Sequence, residues 1–515
     1  MHCQKAGLKM DILQSRRILL ATIVFLGLLH IITVGQVPAV RMAECWRVDS
    51  SYAHFRFGVF DDTMFPGVTE FRNGSFGQGK LRCLLQSYAF ALFGFGLVQA
   101  RLPMLLGGLL AAYGVYLIGR LIFDDRSGLY AAGLYLLAPM FYEAHMVGAH
   151  PWLAAYFVLA AYFALRLFLE KRSVFAFAAG LTIGLSVSFH LTGILGVVPM
   201  TAILLYYRLK KVVRNAHVAC YLLGGLVAFT VWSLFEIAPL GLGAFIEKSR
   251  LGVSVAQAEF IGRHWAKYFI TGRRGTIIEL PLFIVALGSV RSFWSDLKTR
   301  FIYLFLVGLI ISYTLFSGSG SLITVWAVLF VLVGGLISRA VHASSSRWSL
   351  PRSVWAGPIA LVLLYYIAVQ AKRIHTAFWI KPLNHYTELT GRMADHIPEA
   401  KTIIGSPLYF LGFAGRNSYL AQNFYWELIN KQTNELGNLS QQPASISAHK
   451  MLVFLKQRNV EYLIADEYFQ EAIRPRIPED QWDTTFTVVA KFQSQLYGAS
   501  TRGGSPPYRI EIWRL

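Results

Sequence analysis

Apolar runs separated by short polar segments recur through the first two-thirds of the chain. They fall at about residues 17–35, 101–122, 127–144, 151–169, 173–189, 192–208, 217–237, 278–293, 300–316, 321–338 and 354–371. Most approach the roughly 20 residues that a helix needs to cross a bilayer, and the pattern predicts eleven transmembrane spans. A shorter run at 83–97 holds Gln86 and two glycines and is expected as a re-entrant or interfacial helix. After residue 372 the pattern changes. "KTIIGSPLYFL", "VEYLIADEYF", "TTFTVVAKF" and "YRIEIWRL" read as β-rich runs, and "SAHKMLVFLKQR" has helical spacing. The expected fold is an all-α polytopic membrane module over residues 1–372, followed by a small extracytoplasmic α/β domain over 373–515.

Composition agrees with this pattern: 515 residues, 55% hydrophobic and 15% charged, with a mean hydropathy of +0.47. The net charge of +20 would suggest a nucleic-acid partner in a soluble protein. Here the Arg and Lys residues collect in alternate short loops, at Arg120 and Arg126, Lys171 and Arg172, Arg208 to Arg214, Arg291 to Arg300, and Arg339 to Arg352. The loops between them, "EAHMVGAH" and "SGSGS", carry none. The positive-inside rule then puts the amino terminus and the basic loops in the cytoplasm of an inner (plasma) membrane protein. The charge is a topology signal, and no nucleic-acid partner is expected. The first span follows Arg16 and Arg17 without a small-residue cleavage site and is expected to remain uncleaved.

This topology leaves outer loops at 36–100 and 238–277. In the first, "RMAECWRVDSSYAHF" sets Glu44 and Asp49 among aromatic residues just beyond the first span. A carboxylate held against such a surface is raised in pKa and becomes a general base, whereas a solvated loop acid does not. "FYEAHMVGAHPW" brings Glu143, His145 and His150 to span ends, and His190 lies at another outer turn. These residues either snorkel at the interface or together meet a divalent cation or a pyrophosphate-type ligand. No tight metal motif is present. The mid-chain loop carries Arg263, Lys267, Arg273 and Arg274 against the topological trend, which suits either a lipid phosphate or anionic headgroups. Cys45 and Cys83 share the first loop, where they either pair or stay separate thiols.

Residues 92–157 resemble the signature region of the GT-C integral membrane glycosyltransferases, in the branch of protein O-mannosyltransferase-like and aminoarabinose-transferase-like enzymes. Gly94, Arg101, Leu102, Pro103, Gly119, Arg120, Phe123 and Pro139 carry the likeness. The resemblance implies an inverting enzyme that takes a sugar from a polyprenyl-phosphate donor. It would pass that sugar to a lipid, glycan or protein acceptor at the outer face, in some members with a divalent cation. It also implies a first-loop acid acting on the acceptor. Glu44 stands at the Glu position of the family's Asp-Glu pair and Ala43 at the Asp position, so Glu44 or Asp49 is left for that role. Where the family has Arg-Pro-Asp in the second outer loop, this chain has His150, Pro151 and Trp152. Two other functions are compatible with the pattern, a flippase for a lipid-linked glycan and a non-catalytic assembly subunit. Span centres almost free of charge and the lack of an internal repeat argue against a transporter.

Overall fold

A computed structural model describes residues 2–66, 79–239, 241–246, 294–316, 322–342, 352–379, 385–421, 448–467, 486–494 and 508–515, with a few isolated positions between them. Among these the chain is mostly helical. The helices are α1 His2–Thr33, α2 Met42–Phe57, α3 Lys80–Phe93, α4 Leu97–Ile122, α5 Asp125–Leu137, α6 His150–Glu170 and α7 Ser173–Phe189. They continue as α8 Ile194–Leu209, α9 Asn215–Glu236, α10 Leu297–Phe316, α11 Leu322–His342, α12 Arg352–Trp379, α13 Tyr386–Ala394 and α14 Ala448–Gln457. Four of the described helical segments are long and apolar enough to cross a membrane: Leu97–Ile122, His150–Glu170, Leu191–Leu209 and Asn215–Glu236. Shorter apolar segments lie at Arg17–Thr33, Ser173–Phe189 and Ile323–Arg339. The run expected as an interfacial helix is α3.

The chain divides into two compact units. The first holds Met1–Thr33, Phe76–Arg82 and Met104–Ile374. Its helices meet where small residues let backbones approach, the usual solution inside a membrane, where apolar side chains gain nothing by leaving lipid. A Cβ on Gly180 of α7 would sit 1.9 Å from the carbonyl oxygen of Tyr221 in α9, and one on Gly224 would sit 2.2 Å from that of Phe177. α5 and α11 close in the same way, with Gly334 against the Ser127 carbonyl. Local signals set the ends of α5. Asp124 caps its start by accepting the Ser127 N–H at 2.7 Å. It ends at Leu137, short of the apolar run, because Pro139 disfavours a helical conformation at Ala138. A 3₁₀ helix of seven residues, Pro139–His145, carries the chain on.

The second unit holds Val34–Ser75, Cys83–Pro103 and His375–Leu515. Its sheet has five strands, β1 Thr402–Gly405, β2 Ser418–Ala421, β3 Tyr462–Ala465, β4 Thr487–Ser494 and β5 Tyr508–Arg514. Their spatial order is β2-β1-β3-β5-β4. β1 runs parallel to β2 and β3, while β5 is antiparallel to β3 and β4. The α/β character expected from the sequence is present, with α14 where the helical spacing placed it. "KTIIGSPLYFL" is strand only through Gly405. Pro407 then opens a short 3₁₀ turn, and Ser406 caps it by accepting the Leu408 N–H.

Gly180→Val is expected to force α7 and α9 apart and to cost about 1–3 kcal/mol, the usual range for overpacking. A thermal melt in detergent beside Gly225→Ala, where an added Cβ meets nothing within 4 Å, would measure it.

Candidate functional site

The first-loop acids lie on α2 within the second unit. This helix is buried round much of its circumference, and its buried residues include Glu44, Asp49, Ser50, Ser51 and Tyr52. Glu44 stands in the first turn, where its side chain accepts the Arg41 N–H at 3.1 Å and its charge complements the helix N-terminus. Arg101, near the start of α4, meets it side-on. Nε donates to Oε2 at 2.9 Å and Nη2 to Oε1 at 2.8 Å. Both side chains are closed to solvent, at 0% and 2% exposure. The remaining Nη1 donates to the carbonyls of Val34 and Pro38 at 3.0 and 2.9 Å. Glu44 therefore has both oxygens committed to a bidentate partner, an arrangement suited to holding α2 against the start of α4.

Asp49, five residues further along α2, differs. It is fully buried, and burial raises its carboxyl to about 7 in spite of hydrogen bonds from the Thr63 side chain and from the Met64 and Thr63 backbone. Among these, the Thr63 hydroxyl donates to one carboxylate oxygen and the Met64 N–H to the other, the latter at 2.8 Å. The charge of Asp61 adds to the rise. Thr63 itself is only partly buried. A second acid, Asp62, is buried beside this pair and accepts the Ser50 hydroxyl at 2.8 Å.

Residues from the carboxy-terminal part of the chain hold this arrangement in place. The Ala421 N–H, at the end of β2, donates to the Met64 carbonyl at 3.2 Å. The Cys45 thiol and the Tyr386 hydroxyl donate to Leu408 O at 3.2 and 2.7 Å. Tyr52 OH donates to Ala414 O. Burial, with Glu44 nearby, pushes the Cys45 thiol up to about 12, which makes it inert as a nucleophile. Cys45 and Cys83 are separate buried thiols, so the pairing considered from sequence is not formed.

The other sequence candidates fall in the first unit. His145 is buried, and its Nε2 hydrogen-bonds His30 Nδ1 at 2.8 Å; His30 Nε2 meets Leu136 O at 3.0 Å. The His150 and His190 rings lie 6.1 Å apart, and His190 Nδ1 accepts the Thr192 N–H at 3.2 Å. The Glu143 side chain lies outside the described residues, as do Arg263, Lys267, Arg273 and Arg274. Among the described residues no three His, Cys, Asp or Glu side chains come together to hold a metal ion.

Sequence reasoning missed several partners. Arg101 was noted for the family pattern without its pairing to Glu44. His30, inside an apolar run, gave one signal, an ionisable group at membrane depth. Lys80 gave none. It donates through Nζ to Phe235 O and through its backbone N–H to the Glu236 carboxylate, both at 2.8 Å, at the end of α9. Gly79 before it takes φ +66° with no room for a Cβ, which would fall 2.2 Å from Phe189 O.

Residues 82–235 match the family model described as dolichyl-phosphate-mannose-protein mannosyltransferase. No protein of curated function matches the chain by sequence. Solved structures do match by fold. ArnT from Cupriavidus metallidurans bound to undecaprenyl phosphate is similar over 96% of this chain and 97% of its own, at TM-score 0.57 and 16% identity. An oligosaccharyltransferase from Archaeoglobus fulgidus, tethered to an acceptor peptide, is similar over 88% of this chain and 69% of its own, at TM-score 0.54 and 16% identity. AglB from the same organism, in complex with an inhibitory peptide and a dolichol-phosphate, gives TM-score 0.51 at 15% identity, over 88% of this chain and 70% of its own. The chain has the fold of the GT-C integral membrane glycosyltransferases.

Arg101→Leu is expected to lose about 3–5 kcal/mol of stability by stranding a buried carboxylate. The double variant Arg101→Leu, Glu44→Leu should recover most of that loss. Denaturant titration of the three proteins in detergent would check it.

Proposed function

We propose that the chain is an inverting glycosyltransferase that moves a sugar from a polyprenyl-phosphate-linked donor to a lipid, glycan or protein acceptor at the outer membrane surface. The observation that carries this reading is the fold shared over nearly the whole length of both chains with a protein seen bound to undecaprenyl phosphate. The family match over residues 82–235 supports the same chemistry.

Asp49 is the base in this reading, and Glu44 organises the helix that presents it. A general base works best with a pKa near the working pH, and burial brings the Asp49 carboxyl to about 7. The acceptor's proton passes to Thr63 as the Thr63 proton passes to Asp49, while the acceptor oxygen or nitrogen attacks the sugar from the side opposite the leaving phosphate. The phosphate departs as a stable anion, so no strong acid is required. Its charge falls to the cationic mid-chain loop, with Arg263, Lys267, Arg273 and Arg274 the residues assigned to it. None of these steps is routed through a metal.

Membranes carrying the protein would be incubated with a radiolabelled polyprenyl-phosphate sugar. Transfer is expected to rise through pH 7 and level off above it, as Asp49 ionises. Asp49→Asn should lower it about 10²–10⁴-fold. Absence of transfer to every acceptor fraction, or undiminished transfer by the Asn variant, overturns the assignment; lipid movement between leaflets without transfer points to a flippase. Stability gives a second readout. Because the native carboxyl holds its proton up to about 7 and the free side chain only to 3.8, wild-type stability declines as pH rises between those values. Asp49→Asn should remove that decline.

A further inference from the structure

A groove of about 300 Å³ runs along α5 in the first unit, flanked by α1 and α4. Its floor is apolar and closed, formed by Leu129, Ala132 and Leu136 of α5 and Ala112 of α4, all buried. Leu20 of α1 and Tyr113 of α4, both about half exposed, form its rims. Small side chains make the space: Gly27 faces it, and a Cβ there would meet only Leu109, at 3.8 Å. From Asp125 to Leu136 the groove follows α5 for roughly 16 Å at 1.5 Å per residue. That is about half of a hydrocarbon core some 30 Å thick. It is therefore one leaflet deep, and its length suits a single acyl chain better than a long polyprenyl tail.

The two ends differ in chemistry. The Leu136 end is wholly apolar. At the other end the Tyr116 hydroxyl donates to Asp125 Oδ1 at 2.6 Å, and Arg120 Nε lies 3.7 Å from the same oxygen, with its guanidinium largely exposed. A carboxylate and a cation side by side at the mouth of an apolar channel complement a dipolar headgroup, its ammonium toward Asp125 and its phosphate toward Arg120. An anionic headgroup would meet Asp125 with its own sign. On the orientation that the loop charges predict, this mouth faces the cytoplasm.

We propose that the groove seats one chain of a phospholipid with an ethanolamine-type headgroup, drawn from the cytoplasmic leaflet, as a resident lipid separate from any substrate. The inference is independent of the glycosyltransferase reading. To test it, the full-length protein would be reconstituted with equal amounts of phosphatidylethanolamine and phosphatidylglycerol, extracted, and weighed by native mass spectrometry. One phosphatidylethanolamine is expected to remain per chain, with a preference of roughly tenfold, the scale of one charge-assisted contact. Asp125→Asn, which keeps an oxygen for Tyr116, should abolish the preference. Gly27→Leu, which fills the groove, should abolish retention. Equal retention of both lipids, a preference for phosphatidylglycerol, retention unchanged in both variants, or displacement by added polyprenyl phosphate would each overturn the proposal. If Gly27→Leu fails to fold, loss or persistence of the preference in Asp125→Asn decides it.

Discussion

The buried pairing of Arg101 with Glu44 is the constraint on which the candidate site depends. Two charges without solvent must find each other and fill their remaining hydrogen-bonding positions, or the cost is several kcal/mol for each. Arg101 meets that demand with two carboxylate oxygens and the carbonyls of Val34 and Pro38. These contacts fix where the chain enters α2 and the rotation of α2 about its own axis. Asp49, on the same helix, inherits its position. Replacing Glu44 thus alters the geometry around Asp49 even though Glu44 need never touch a substrate.

Two acids close together on one helix are separated by what each is bonded to. Glu44 faces a full positive charge. Asp49 faces a hydroxyl and backbone amides, which are weaker counterweights to burial. The first is held within a buried ion pair, and the second can change its charge in the neutral range. A second acid, Asp49, lies five residues after Glu44 on the same helix, about 140° further round at 3.6 residues per turn, and it too is buried.

Much of the fold was legible because the membrane imposes a coarse, strong code. The apolar runs gave the helices, and the shift to β-rich runs after residue 372 gave the sheet. β2 escaped because "SYLA" is four residues long and carries no alternation that separates it from a turn. α5 stopped early because an apolar run records where lipid is tolerated, while Pro139 decides where the helix ends. The site was legible only by half. Glu44 and Asp49 could be found on topology, but the difference between them lies in partners far along the chain, Arg101 for one and Thr63 and Met64 for the other. The two histidines expected at span ends separated for a similar reason: His145 met His30 of α1, while His150 faced His190.

The hydrogen bond from the Ala421 N–H to the Met64 carbonyl carries a consequence for biosynthesis. Met64 presents its own N–H to Asp49 while its carbonyl is held by β2, a strand that follows the apolar runs in the sequence. A ribosome that has delivered every apolar run into the bilayer has still not supplied the segment that secures the acid's surroundings. A prematurely ended chain can be threaded through the membrane and yet lack that support. Synthesis of β2, rather than insertion of the apolar runs before it, is then the event that brings Asp49 into its final environment.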